Sequence, residues 1–271
     1  MARAYSLAHL TVLALPPLEM IDVAARAGYQ HVGLRLTRVT DAEPLYPLVT
    51  DKALMRETKA RLADTGISVL DVELARMDPT RDAEHFRSLL EAAAELGARH
   101  VITQLPDPDR SRATDRYAAL CDDAAPLGLT CDLEFPSWTE TPDLTEATRV
   151  LRAVNRPNAG ILVDLLHFQR SGSSLDALRS LPREWFHFVH VCDAPAAIPA
   201  TLEGILHTAR AARLFPGEGE LDTTGMLGCL PADLPYALEI PGDARVAQVG
   251  LAEYARLALA RTKAYLERDV Q

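Results

Sequence analysis

The sequence predicts an α/β fold of the (β/α)8-barrel type, a TIM barrel, with residues 1–271 forming one barrel domain. Three observations predict it. Short β-rich runs alternate with longer amphipathic runs. Helical runs stop at glycines, as at Gly28, Gly66 and Gly97. Polar residues recur where the predicted strands end. Repeated βα units imply parallel strands joined by right-handed crossovers. Eight such units in 271 residues favour a closed barrel over an open sheet.

The elements follow in order. Strand one starts at Tyr5, and PLEMIDVAARAG makes the first helix, with Leu18, Ile21, Ala24 and Ala25 at helical spacing. Strand two is His31 to Leu36 and helix two Lys52 to Asp64. Strand three is Ile67 to Leu74 and helix three Asp82 to Leu96. Strand four is His100 to Leu105 and helix four Thr114 to Ala125. Strand five is Leu129 to Phe135 and helix five Leu144 to Val154. Strand six lies in AGILVDLLH from Ala159, with helix six near Leu175 to Leu181. Strand seven is Trp185 to Asp193. An insertion follows, with an extra helix near Thr201 to Leu214, the loop FPGEGELD and a short helix near Thr224 to Leu230. Strand eight is Pro235 to Pro241, and a helix from Leu251 to Glu267 closes the chain.

Composition narrows the function. Hydrophobic residues make up 48% and charged residues 24%, ordinary for a chain with a large core. Acidic residues outnumber basic ones, 38 to 28, and the net charge of −10 repels phosphate backbones, so no nucleic-acid partner is expected. Cys121, Cys131, Cys192 and Cys229 form no CxxC pair, and reduced thiols in a cytoplasmic protein are the simplest reading. The opening apolar stretch is interrupted by His9 and Pro16-Pro17 and reads as a strand and loop rather than a leader. No stretch approaches the ~18–20 apolar residues of a membrane span, so no membrane partner is expected. Association into a homo-oligomer stays open.

In such a barrel, functional groups gather at the C-terminal ends of the strands. Those ends carry His9, Arg35, Glu73 and Arg76, Gln104, Glu134, Asp164 with His167 just beyond, His190 with Asp193, and Glu239. Glu134, Asp164 and Glu239 each follow a run of core residues. Isolated buried carboxylates are costly, and three together repel one another. One divalent cation among them removes the conflict, with His190 as fourth ligand. Three oxygens and one imidazole suit Mn²⁺, Mg²⁺ or Co²⁺, with Zn²⁺ as an alternative. Arg35 and Arg76 are expected to bind an anionic part of the substrate, because guanidinium forks pair with carboxylate or phosphate. Asp193 is expected to brace His190 or a loop, and Gly217 and Gly219 to permit a tight turn. His187 reads as structural.

With these residues in place, the chain resembles the xylose isomerase-like barrel superfamily of sugar isomerases and epimerases. The segments that carry the resemblance are DLEF (Glu134), LVDLLH (Asp164, His167), HVHVCD (His190, Asp193), FPGEGELD and ALEI (Glu239). The resemblance implies Glu134, Asp164, His190 and Glu239 as metal ligands. It implies His167 as a contact to a substrate oxygen and Glu140 as a substrate-binding residue. The pattern departs at two places. Cys192 stands where many relatives have a lysine, and residues 194 to 200 lack the arginine that ketose 3-epimerases place after the histidine.

The expected activity is metal-dependent isomerisation or epimerisation of a small sugar or hydroxy-carbonyl compound, in carbohydrate metabolism. A proton moves through an enediolate, with Glu134, Glu239 and His167 as the catalytic residues. His9, Arg35, Glu73, Arg76 and Glu140 would bind the substrate. The alternative is a metal-dependent dehydratase acting on an inosose or a 3-dehydroshikimate-like keto compound. An apurinic-site endonuclease on the same barrel is disfavoured by the charge, and a non-catalytic binding protein by the complete ligand set.

Overall fold

The computed structural model describes residues 3–267. Its eight parallel strands close in chain order, with β1 pairing both β2 and β8. The elements are β1 (Tyr5–Leu7), α1 (Pro17–Ala27), β2 (His31–Arg35), α2 (Lys52–Thr65), β3 (Ser68–Arg76), α3 (Arg87–Glu95), β4 (His100–Gln104) and α4 (Arg110–Ala124). There follow β5 (Thr130–Glu134), α5 (Leu144–Val154), β6 (Ala159–Asp164), α6 (Leu165–Arg170), α7 (Leu175–Arg179) and β7 (Val189–Val191). The chain continues through α8 (Leu202–Ala211), α9 (Thr223–Leu227), β8 (Tyr236–Leu238), α10 (Asp243–Val249) and α11 (Leu251–Leu266).

The sequence signals act as expected at most boundaries. Gly28 and Gly66 end α1 and α2 at φ 93° and 72°, a left-handed conformation that other residues adopt only with strain. Four differences have local causes. α4 begins at Arg110, ahead of the expected Thr114, because the Asp109 side chain accepts the Arg112 N–H as a cap. α6 was not expected; the Asp164 carboxylate starts it by accepting the N–H groups of Leu166 and His167. β7 is only three residues long, since Arg183–Trp185 turn as a 3₁₀ segment before it. α10 is a short helix with no fully buried residue, only Val246 resting half-buried on the core, too little apolar pattern for periodicity to detect.

Two apolar layers build the core. The larger packs the outer faces of the strands against the helices. The smaller, Leu70, Leu74, Ile102, Leu162, Phe188 and Ala237, fills the barrel lumen. Alternation along each strand decides which side chains point inward. In β5 it turns Thr130, Asp132 and Glu134 into the lumen, one above the other. In β6 it turns Gly160, Leu162 and Asp164 inward. Buried carboxylates need room there, and glycines provide it. A Cβ built on Gly33 would lie 2.6 and 2.8 Å from the two carboxylate oxygens of Asp71, which is fully buried. Gly33→Ala is therefore expected to cost about 1–3 kcal/mol, the usual range for overpacking. A thermal melt equal to that of the unaltered protein would refute this.

The insertion after β7 is tied back onto the C-terminal mouth of the barrel. Asp193 bridges to Leu214, Ala212 bridges to Gly242, and the Arg213 N–H donates to the Pro241 carbonyl at 2.9 Å. The Asp193 carboxylate accepts the N–H groups of Gly217, Gly219 and Leu221 at 2.8–3.0 Å. Of its two expected roles, Asp193 thus performs the second: it folds the FPGEGEL loop. The consequence is that Arg213, remote in sequence, is held over the mouth. No described helix is long and apolar enough to cross a membrane.

Candidate metal centre

Four strand ends converge at the C-terminal mouth. One ligand-type atom from each of Glu134, Asp164, His190 and Glu239 lies within 4.8 Å of the others. His190 Nδ1 is 3.4 Å from Glu239 Oε2, 3.7 Å from Asp164 Oδ2 and 3.8 Å from Glu134 Oε1. Parallel register sets this convergence, because Asp164 pairs with His190 across β6 and β7, and His190 with Ala237 two residues before Glu239. All four residues are buried. Neither ring nitrogen of His190 has a hydrogen-bond partner among the described residues. A buried imidazole with both nitrogens unmet, facing three carboxylates, fits a cation ligand.

The charges divide unequally. Burial, with Glu239 and Asp164 nearby, pushes the Glu134 carboxyl up to about 8. Burial also opposes ionisation of Asp164, but Arg213 and His167 outweigh it and hold that carboxyl well below its usual range. Glu239 is held down in the same way by His190 and Arg213 against the cost of burial. Burial lowers His167 to about 4, so its ring is neutral near pH 7. His167 Nε2 stands 4.0 Å from Glu134 Oε1, and its buried Nδ1 has no partner among the described residues.

Sequence reasoning missed Arg213. Its Nη1 lies 2.6 Å from Asp164 Oδ2 and its Nη2 2.7 Å from Glu239 Oε2. Nη1 also donates to the Glu239 carbonyl at 3.1 Å and faces Cys192 Sγ at 3.4 Å. Nε donates to the Ala209 carbonyl at 2.8 Å. Arg213 thus stands at the mouth in addition to Arg35 and Arg76, the strand-end arginines expected to bind an anionic group. The cation comes from the far end of the insertion and rests on Cys192, the position where many relatives carry lysine. Its sequence signal was its place three residues before the PGEG turn.

The expected substrate-binding residues separate into two groups. Arg35, Glu73 and Arg76 line the cavity above the four candidate ligands, a narrow space of about 60 Å³. Arg35 and Glu73 bind one another, with Nε donating to Glu73 Oε2 at 2.8 Å, and Arg35 also holds Glu43 at 2.9 Å. Arg76 has no ion-pair partner within 4.0 Å among the described residues. His9 does not line the cavity. Its Nε2 meets the Leu15 carbonyl at 3.0 Å, its Nδ1 accepts the Arg35 N–H at 3.0 Å, and its ring stacks on Tyr46. A histidine with both nitrogens taken by backbone braces β2. Glu140 is exposed and does not line the cavity, and its loop contributes Trp138 instead. The indole meets the His167 ring edge-on at 4.9 Å. Gln104 and Arg210 also line the cavity, and Gln104 Nε2 donates to Glu134 Oε2 at 2.6 Å.

Comparison with known proteins agrees with this architecture. The chain is similar to the inosose isomerase of Bacillus licheniformis, 26% identical over 157 residues that cover 54% of each chain. It is also similar to the 3-dehydroshikimate dehydratase of Pseudomonas putida, 28% identical over 241 residues, 83% of this chain and 36% of that protein. The chain thus spans about half or less of the length of these curated relatives. Among solved structures, the IOLI protein with a bound zinc atom superposes with a TM-score of 0.76 at 19% identity over 98% of both chains, a likeness of fold. The family profile for the xylose isomerase-like TIM barrel matches residues 21–261, and the chain belongs to that family.

Proposed function

We propose that this protein is a divalent-metal-dependent isomerase or epimerase of a small hydroxy-carbonyl compound. The observation that carries the reading is the convergence of three carboxylates on the unpartnered His190 at the floor of the cavity. Glu134, Asp164, His190 and Glu239 would hold the ion. When bound, it supplies a Lewis acid that polarises a substrate carbonyl and lowers the cost of losing the neighbouring carbon-bound proton.

The side chains do the rest. Glu134 and Glu239 come from β5 and from the end of β8, so one removes the proton and the other returns it. Gln104 fixes the rotation of Glu134 through its hydrogen bond. His167, neutral and with a free Nδ1, holds or protonates a substrate oxygen. Arg213 keeps Asp164 and Glu239 ionised. Trp138 covers His167 and limits water there.

A second reading is favoured by one observation. Arg76 and Arg210 line the cavity without an ion-pair partner within 4.0 Å among the described residues, which suits a substrate carboxylate. A dehydratase acting on a 3-dehydroshikimate-like keto acid would use the same first proton abstraction and then expel a hydroxyl. The similarity to a 3-dehydroshikimate dehydratase supports it. One experiment separates the two. Inososes, ketoses and 3-dehydroshikimate are incubated with metal-loaded protein in deuterated water and followed by NMR. Isomerisation incorporates one solvent deuteron at carbon without loss of mass. Water loss with new aromatic absorbance establishes the dehydratase instead. Isomerised product without solvent deuterium at carbon refutes the proton-transfer isomerase, and a panel in which neither deuterium uptake nor water loss is seen refutes both.

A further inference from the structure

We propose a second divalent-metal site at the opposite, N-terminal mouth of the barrel, formed by His100, Asp132 and His187. One ring nitrogen of each histidine and one Asp132 oxygen lie within 4.8 Å of one another. His187 Nδ1 is 2.6 Å from Asp132 Oδ1, and His100 Nδ1 is 3.7 Å from Asp132 Oδ2. The two imidazole centroids are 5.3 Å apart. The cluster is distinct from the four residues at the C-terminal mouth, although β5 serves both. Asp132 sits two residues before Glu134, about 6.6 Å down the strand, and points into the same lumen.

The surroundings are arranged around the carboxylate. Thr130 Oγ1 donates to Asp132 Oδ2 at 2.6 Å, which leaves Oδ1 turned to His187. An outer hydroxyl that orients a carboxylate is a common support for a ligand. Asp132 pairs in register with Gly160 on β6. A Cβ built on Gly160 would fall 2.6 Å from His187 Nδ1 and against the Asp132 carboxylate. Only glycine there lets Asp132 and His187 meet across β6. Asp132 is fully buried, but His187 keeps 19% of its side chain exposed, so an ion can reach the cluster from solvent.

The donor set selects the ion. Two imidazoles and one carboxylate with open positions suit Zn²⁺, Fe²⁺, Co²⁺ or Ni²⁺, not the all-oxygen preference of Mg²⁺ or Ca²⁺. Two ligand atoms at ~2.1 Å on a tetrahedral ion stand about 3.4 Å apart. Seating it therefore requires the His187–Asp132 pair to open by about 0.8 Å from its present 2.6 Å, and His100 Nδ1 to exchange its 2.7 Å hydrogen bond with Thr130 Oγ1 for the ion. The bound ion would tie β4, β5 and the start of β7 together. At this face of a barrel such a link bears on stability rather than catalysis.

Metal content tests the proposal. The full chain is stripped with chelator, dialysed against excess Co²⁺ or Zn²⁺, freed of unbound metal and measured by elemental analysis. Two equivalents per chain are expected. A His100→Ala/His187→Ala variant should keep one, and a Glu134→Gln/Glu239→Gln variant should also keep one. Added Zn²⁺ should raise the melting temperature of the second variant but not that of a variant lacking both sets. His187→Gln, a milder change, should lose the same equivalent if the double alanine variant folds poorly. A single equivalent in the unaltered chain that the Glu134→Gln/Glu239→Gln variant loses overturns the proposal, as does a His187→Gln chain that still holds two. Loss of metal confined to the Glu134→Gln/Glu239→Gln variant would leave the C-terminal site alone standing.

Discussion

Glu239→Gln is expected to lower kcat by about 10²–10⁴-fold, the range for removing a positioned acid or base. The substitution keeps shape but removes the charge that faces His190 at 3.4 Å. It removes a proposed proton carrier and a candidate metal ligand together, so two readouts should change. Turnover of whichever substrate emerges from the panel should collapse, and metal retained at the C-terminal mouth after dialysis should fall. The fold should persist, because Arg213 still pairs with Asp164 at 2.6 Å. A variant with near-normal kcat would remove Glu239 from the mechanism.

Arg213→Met is expected to destabilise the metal-free protein by about 3–5 kcal/mol, the cost of leaving buried charges unpaired. Asp164 and Glu239 would lose their shared cation within the buried site. At roughly 2–4 °C per kcal/mol for a chain of this size, the melting temperature should fall by about 10 °C. Divalent metal should restore much of the loss, since an ion bound only by the folded state stabilises it. Metal should therefore raise the melting temperature more in the variant than in the unaltered protein. Equal melting of the two metal-free proteins would show that Arg213 is not the counter-charge.

These two residues also mark how far the sequence could be read. Glu239 was legible because a strand imposes a period of two and ends at a definite place. An ionisable residue after the apolar run Tyr-Ala-Leu stands out as unlike its neighbours. The same logic exposed Glu134 and Asp164. The glycine stops, the strand alternation and the acidic balance are local or summed properties, and they suffice for the barrel and its eight strand positions. His9 misled because proximity in sequence to a strand end does not decide where a side chain points, and Glu140, implied only by the resemblance, lies on a loop that brings a different residue to the cavity. His9 spends both nitrogens on backbone, and Glu140 gives way to Trp138, two residues earlier.

What the sequence by itself determined is therefore the (β/α)8 barrel and the four candidate ligands at its C-terminal mouth, because both follow from short-range periodicity. What only the tertiary structure decided is which cation shares that mouth. Arg213 is 49 residues from Asp164 along the chain and reaches it through the Asp193–Leu214 and Ala212–Gly242 bridges. The pairing of His187 with Asp132, 55 residues apart and across Gly160, was equally out of reach. Closure of the barrel brings such groups together. No local pattern records it, because the contact depends on register between strands and on the path of an insertion, neither of which has a period to read.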